Sequence, residues 1–276
     1  MIPAAFDYQR AGSAEEALAA LAEHGDEAKL LAGGHSLIPL MKLRLAAPSL
    51  LVDIGRLDDL SYIRDAGDHI AIGGLTRHRD LETSDLLGAE APILRHAAGQ
   101  VGDPQVRHRG TIGGSIAHGD PASDLPAAVL ALRATLVARG PAGEREIPAD
   151  EFFTGFLETA LAADEVLTEI RVPAVPGGGW AFEKLSRRAQ DWAIVAVAAV
   201  LTNGSTGPGV GLVNMGSAPL RAAGVEEALR SGSGATDAAA RADEGTEPPG
   251  DLNASPEYRR HLAQVLVRRA VEKAEG

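Results

Sequence analysis

Thr111-Ile112-Gly113-Gly114-Ser115-Ile116-Ala117-His118-Gly119-Asp120-Pro121-Ala122-Ser123-Asp124-Leu125-Pro126 is the stretch on which the reading of this chain turns. Two adjacent glycines between a threonine and a serine give a backbone with no Cβ at its centre, so a ligand can approach it closely. Successive N–H groups in such a turn can converge on an anion, and the hydroxyls of Thr111 and Ser115 add donors. Asp124 lies nine residues past Ser115 and is placed to accept hydrogen bonds from a polyol. The same chemistry occurs earlier, at Ala32-Gly33-Gly34-His35-Ser36, about eighty residues upstream. Two glycine-pair loops of this kind predict two walls of one pyrophosphate cradle.

Upstream, residues 13–24 predict a helix opened by a capping box, with Ser13 at the N-cap and Glu16 at N3, and closed by Gly25. Residues 29–32 predict a buried strand that delivers the chain to the first glycine loop. Residues 37–45 predict a helix whose N-terminus adds its dipole to any anion held there. With a second strand at 49–54 this makes a small α/β unit. Residues 62–64 and 70–73 predict a hairpin across Gly67-Asp68. Thr76 is placed to cap a helix through Leu81, 92–98 predicts another short helix, and 101–110 carries turn chemistry. After the opening stretch, 125–132 is an apolar helix, 134–138 and 145–147 alternate as strands, and 166–172 is the clearest strand of all. Pro176-Gly177-Gly178-Gly179 marks a break. Beyond it come strands at 181–185, 194–201 and 210–215, a helix near 225–230, and a polar stretch, 231–253, expected to be an exposed connection with local helix. Ser255-Pro256 opens a terminal helix with an apolar side of Tyr258, Leu262, Val265, Leu266 and Ala270.

A length of 276 residues suits two domains. The net charge of −12 argues against nucleic acid or anionic lipid as a partner, the densest basic run being Arg187-Arg188. The chain has no cysteine, so it cannot supply disulfides, thiolate zinc sites, iron–sulfur clusters or a cysteinyl flavin by itself. The N-terminal residues lack the basic and apolar regions of a signal peptide, and no run approaches the roughly 20 apolar residues that span a bilayer. A cytoplasmic protein is expected, with any placement at the inner face of the membrane coming through partners. His35 and His118 have no second ligand at metal spacing, and no metal is expected on this chain. Ser36 and Ser115 lack a nucleophile elbow. Simpler roles compete at each position: tight turns for the glycine pairs, helix caps for Asp120 and Asp124, a solvated strand lysine for Lys184, and plain packing for Trp192.

Four ordered segments go further: 32–42 (AGGHSLIPLMK), 109–115 with 120–126 (RGTIGGS and DPASDLP), 182–188 (FEKLSRR) and 215–221 (MGSAPLR). On these the chain resembles the FAD-binding medium subunit of molybdenum hydroxylases, the group of carbon monoxide dehydrogenase, xanthine dehydrogenase and related aldehyde, nicotine or caffeine dehydrogenases. The resemblance implies an α+β fold with a two-subdomain FAD-binding domain of the vanillyl-alcohol-oxidase type over residues 1–175. Its subdomains would cover about 1–55 and 56–175. A C-terminal domain with a three-stranded antiparallel sheet and helices would occupy 176–276.

The resemblance also implies roles for individual residues. Lys29, Leu30, Leu31, Ala32, Gly33, Gly34, His35 and Ser36 would touch FAD from one side, and Thr111, Ile112, Gly113, Gly114 and Ser115 from the other. Asp124 would bind ribityl or ribose hydroxyls, Val101 and Leu167 would lie beside the ring systems, and Lys184 would reach the flavin's polar edge. Trp192 takes the catalytic place, where relatives set an aromatic residue that covers or gates the acceptor side of the isoalloxazine. The implied partners are a large molybdenum-pterin subunit that oxidises substrate and a small subunit with two [2Fe–2S] clusters, assembled as a dimer of heterotrimers. Two other functions compete. A stand-alone FAD-dependent reductase of the same fold, like the cell-wall enolpyruvyl reductases, needs a group that protonates a substrate carbon, and the sequence offers no clear candidate. A flavin-free assembly scaffold needs no cofactor at all.

Overall fold

A computed structural model of the chain describes residues 2–201 and 207–276. Three strands form a first, all-parallel sheet: β1 (Asp7–Arg10), β2 (Ala28–Leu31) and β3 (Leu50–Asp53), with β3 in the middle. Helix α1 (Ala14–His24) connects β1 to β2 and buries Ala17, Leu18 and Leu21 against Leu50 and Val52. Ser13 caps it through the Glu16 N–H at 3.3 Å. The Glu16 carboxylate reaches the Gly12 N–H at 2.6 Å, one residue earlier than a capping box expects. Helix α2 (Leu37–Leu43) follows β2. Strand β1 has no apolar alternation and all four residues are exposed, so nothing in its sequence announces it. Its ladder to β3 and the Tyr8 hydroxyl donating to Asp53 (2.6 Å) hold it.

A second sheet has the order β4-β5-β10-β6-β7. Its strands are β4 (Ile63–Asp65), β5 (Ile70–Gly73), β6 (Thr135–Gly140), β7 (Gly143–Pro148) and β10 (Val166–Val172), and a small hairpin of β8 (Phe153–Gly155) and β9 (Glu158–Thr159) lies beside it. The alternation of β10 earns it the central position, antiparallel to β5 and β6. Helices α3 (His78–Thr83), α4 (Asp85–Glu90), α5 (Pro92–Gln100), α6 (Pro104–Arg107), α7 (Ile112–His118) and α8 (Asp124–Ala131) belong to this unit, with the single turn α9 (Ala149–Phe152) after β7. Thr76 does not cap a helix. Its hydroxyl donates to the Tyr62 carbonyl (2.9 Å) and accepts from the Tyr62 N–H (3.1 Å), and the helix starts at His78. Within the expected turn at 101–110, Asp103 caps α6 through the Val106 N–H at 3.0 Å.

The remainder is an antiparallel sheet of β11 (Trp180–Leu185), β12 (Val195–Val200) and β13 (Gly209–Val213), with a two-residue fourth strand, β14 (Leu220–Arg221), at its edge. Helices α10 (Ala223–Arg230), α11 (Ala235–Ala239) and α12 (Pro256–Glu275) complete it. Alternate residues of β12 enter different cores: Ala196, Ala198 and Val200 face the core of the second unit, and Val195, Val197 and Ala199 face α12 and its neighbours. The 231–253 connection is not simply exposed, because Ala238, Ala239, Ala242 and Thr246 are buried. On α12, Leu262, Leu266 and Ala270 are buried as expected, but Tyr258 is half exposed and its neighbour Arg259 is fully enclosed. Strand β13 lies flush on α8: a Cβ at Gly209 would stand 2.0 Å from the Ala131 carbonyl oxygen, and one at Gly211 would stand 2.1 Å from that of Ala127.

Candidate functional site

A cleft of about 980 Å³ opens where the three sheets' units meet. Its first wall is the 32–37 segment. A Cβ at Gly33 would stand 2.3 Å from the Arg109 carbonyl oxygen and 2.8 Å from the Gly110 Cα, so the two segments touch backbone to backbone. Gly34 has φ +78, a conformation in which only glycine is unstrained. Among the described residues, the consecutive N–H groups of Gly33, Gly34, His35, Ser36 and Leu37 have no protein acceptor. Such a row of unsatisfied donors on a cleft is what an anion takes up.

The second wall differs from the expected loop. Residues 112–118 are helix α7, and Thr111 is its N-cap, accepting from the Gly114 N–H at 3.1 Å. The Ile112 N–H donates to Thr76 (3.0 Å), that of Gly113 to Gly74 (2.9 Å) and that of Ser115 to Thr111 (3.0 Å). The donors expected here to cradle an anion are thus consumed by the protein's own oxygens. Gly113 serves close packing, since its Cβ would meet the Gly74 oxygen at 2.5 Å. What this wall offers the cleft is Gly114, whose missing Cβ leaves room for the Thr111 hydroxyl, and the hydroxyl of Ser115, 3.3 Å from that of Ser123.

Asp124 begins α8 and is buried beside Lys184 of β11, whose Nζ donates to Oδ2 at 2.6 Å and to the Gln100 carbonyl at 3.2 Å. Neither aspartate caps α8: Ser123 is the N-cap residue, and Asp120 folds its own turn by accepting from the Ala122 N–H at 2.9 Å. Lys184 is likewise no solvated lysine, its side chain being only 9% exposed. Oδ1 of Asp124 is buried without a partner. Burial pushes the Asp124 carboxyl up to about 6, against the opposing pull of the Lys184 ammonium. In an unfolded chain this carboxyl titrates near 3.8, so between these values the folded chain holds more protons. That contribution to stability is full below about pH 4 and is lost as pH rises through about 6. Urea unfolding of the flavin-free chain should show wild type losing up to about 3 kcal/mol relative to Asp124→Asn between these limits, because each pH unit crossed is worth about 1.4 kcal/mol. Parallel pH profiles for the two would contradict it.

Lys29, Leu30, Ala32, His35, Val101, Thr111, Leu167 and Trp192 line the same cleft as the glycines, Ser36, Ser115, Asp124 and Lys184. Leu167 sits where the β10–β6 register shifts, and its carbonyl would be 2.3 Å from a Cβ at Gly74. Trp192, 62% exposed, stands at the mouth in the 186–193 loop. Leu31 and Ile112 do not line the cleft. Leu31 alternates away on β2 and packs under Gly34, and Ile112 points into the core. Sequence reasoning missed His78, which lines the floor with both ring nitrogens unpartnered and a pKa lowered by burial to about 4, so that its ring is neutral. A histidine inside Arg77-His78-Arg79 carries no signal of burial. Gly73-Gly74 was a legible hint, a third glycine pair on the way to the site. Among the described residues, no group of three His, Cys, Asp or Glu is placed to hold a metal, and no helix is long and apolar enough to cross a membrane.

Residues 4–175 match the family described as "FAD binding domain in molybdopterin dehydrogenase", and residues 180–274 match the "CO dehydrogenase flavoprotein C-terminal domain". The chain is 43% identical over 282 residues to the carbon monoxide dehydrogenase medium chain of Hydrogenophaga pseudoflava, covering 99% of this chain and 98% of that one. It is 40% identical to the 6-hydroxypseudooxynicotine dehydrogenase complex subunit alpha of Paenarthrobacter nicotinovorans, covering 99% and 96%. Among solved structures, a chain of carbon monoxide dehydrogenase from Hydrogenophaga pseudoflava superposes with a TM-score of 0.95 at 44% identity, covering 100% of this chain and 99% of that one. One of quinoline 2-oxidoreductase from Pseudomonas putida 86 superposes with a TM-score of 0.91 at 32% identity, with the same coverage.

Proposed function

This chain belongs to the FAD-binding medium chains of the carbon monoxide dehydrogenase and xanthine dehydrogenase family, and from there we propose how its cleft works. The chain is the flavoprotein subunit of a molybdenum hydroxylase. It takes electrons from the iron–sulfur clusters of a small partner subunit and passes them to an external acceptor. Substrate is oxidised on a large molybdenum-pterin subunit, and the assembly is a dimer of heterotrimers in the cytoplasm.

The observation that carries this reading is the row of N–H groups at 33–37 without protein acceptors, on the same cleft as a buried, unpartnered carboxylate oxygen. Diphosphate and polyol are the chemistries these two features complement, and FAD has both. Bound there, FAD supplies a redox centre that can accept electrons singly or in pairs. The chain's own groups then have distinct tasks. The 33–37 backbone binds the diphosphate, with the Ser115 hydroxyl facing it from the other wall. Asp124 accepts from the polyol hydroxyls through Oδ1, while Lys184 neutralises Oδ2 and keeps a positive charge at the cleft. Val101 and Leu167 exclude water from the ring systems, and Trp192 covers the ring at the mouth.

The test is spectroscopic and elemental. The chain expressed alone should be yellow with bound flavin, and the native complex should contain molybdenum and iron. A yellow chain that by itself turns over NAD(P)H with a small substrate would instead make it a stand-alone reductase. Trp192→Ala should change the rate of flavin reoxidation roughly tenfold while leaving flavin content within about twofold, as expected of a group that gates access. An unchanged reoxidation rate would return Trp192 to simple packing.

A further inference from the structure

Trp192 makes no hydrogen bond of its own among the described residues, yet it sits at a defined place on the cleft. We propose that Asn214 is the positioning residue that fixes it, by tying the end of the Trp192 loop to the turn that presents Asp124. Asn214 follows β13 and has φ +63. Its backbone N–H donates to the Pro121 carbonyl at 2.7 Å, within the 120–124 turn. Its side-chain Nδ2 donates to the carbonyls of Ala193 (3.1 Å) and Ile194 (3.3 Å), the two residues directly after Trp192. Because both partners are carbonyls, the donor end of the amide must face them.

The earlier part of the loop is held more loosely. Among the described residues its bonds are local, Ser186 Oγ to the Arg188 carbonyl (2.8 Å) and the Asp191 N–H to the same residue (3.3 Å), apart from Arg187 reaching Asn253 at 3.2 Å. The fixed end is the Trp192 end. There the Ile194 N–H donates to Leu185 at 2.7 Å, and the enclosed Arg259 of α12 donates to the Ile194 carbonyl from the other side. The residue type follows from two demands. A left-handed backbone favours glycine, asparagine or aspartate, and two carbonyls at short range need a side-chain N–H donor. Asparagine alone of the three meets both. No segment of the family resemblance includes this position, since the last one starts at Met215.

The inference rests on Trp192 lying against the flavin ring, and the experiment separates the two. Asn214→Gly keeps the backbone conformation and the N–H to Pro121 while deleting both side-chain donors. Asn214→Asp keeps the shape and sets a carboxylate against the two carbonyls. Trp192→Phe is measured alongside. In the full-length flavin-loaded chain, flavin content and flavin emission are recorded for all three. Both Asn214 variants should keep flavin content within about twofold of wild type while emission rises roughly threefold or more, as the aromatic quencher leaves its supported position. If Trp192→Phe leaves emission at the wild-type level, Trp192 does not face the ring and the underlying reading fails. If Trp192→Phe raises emission but neither Asn214 variant does, Asn214 does not position Trp192 and this proposal alone is overturned. Loss of flavin from both Asn214 variants would place the residue's role in the Asp124 turn and would also overturn it.

Discussion

Gly33→Ala is expected to leave the chain folded but nearly colourless, with flavin content below roughly a tenth of wild type at micromolar protein. The added Cβ does not point at the ligand. It would stand 2.3 Å from the Arg109 carbonyl oxygen, 2.8 Å from the Gly110 Cα and 2.9 Å from the Arg109 carbonyl carbon. All three are backbone atoms, which cannot swing aside as a flexible side chain can. The 32–37 segment must therefore lift off the 109–111 segment, and the N–H row moves with it. Overpacking of this kind costs about 1–3 kcal/mol. If that falls on the bound state, affinity drops roughly five- to a hundredfold, at about 1.4 kcal/mol per factor of ten. Gly25→Ala is the matched control. Gly25 has φ +54 and open space around it, so alanine there loses about 1–3 kcal/mol of stability through backbone strain and no flavin. The flavin-to-protein absorbance ratio after purification decides the matter. Full flavin in Gly33→Ala would mean that this pair of segments does not hold the diphosphate.

Glu226→Ala is expected to destabilise the chain by about 3–5 kcal/mol, the range found when one partner of a buried ionic cluster is removed. Glu226, 1% exposed on α10, accepts from the Val210 N–H (2.9 Å), from Arg221 (2.6 and 2.9 Å) and from Arg133 (3.1 Å). Arg133 lies between α8 and β6, so this carboxylate joins the second sheet's unit to the third. Alanine removes four acceptor contacts at once and leaves two guanidinium groups facing each other in a partly closed site. Asp150 relieves only part of this, since it already accepts from Arg221. Urea unfolding should show the midpoint shifted with the slope unchanged. Glu226→Gln, which keeps one acceptor oxygen and the volume, should fall between the two. A midpoint within about 0.5 kcal/mol of wild type would mean that the cluster is a surface arrangement with little net effect.

Much of the architecture is written locally. Ser13 with Glu16, Ser255 with Pro256, and the alternation of residues 166–172 each specify an element within a few residues of themselves, and each forms where expected. The site is legible as composition and not as hydrogen bonding. The glycine pairs at 33–34 and 113–114 look alike, yet the first faces the cleft with its N–H groups unsatisfied while the second gives them to Gly74 and Thr111. That difference depends on which distant carbonyl comes to lie opposite, and nothing adjacent in the chain encodes it. His78, Arg259 and Asn214 were invisible for the same reason. Each is a polar residue whose burial or partners are set by elements far away in sequence. Strand β1 was missed for the opposite reason, since the ladder holding it asks nothing of its side chains.

The contact of β13 with α8 reaches beyond packing. Gly209 and Gly211 sit against the carbonyls of Ala131 and Ala127, and β12 gives one face to each of two cores. The glycine run at 177–179 therefore divides the sequence without dividing the molecule. Cut there, the first piece would bare the back of α8 and the second would lose the support of one side of its sheet. A chimera that takes its C-terminal part from another chain should fold only when the strand glycines and the helix residues facing them are exchanged as a matched set.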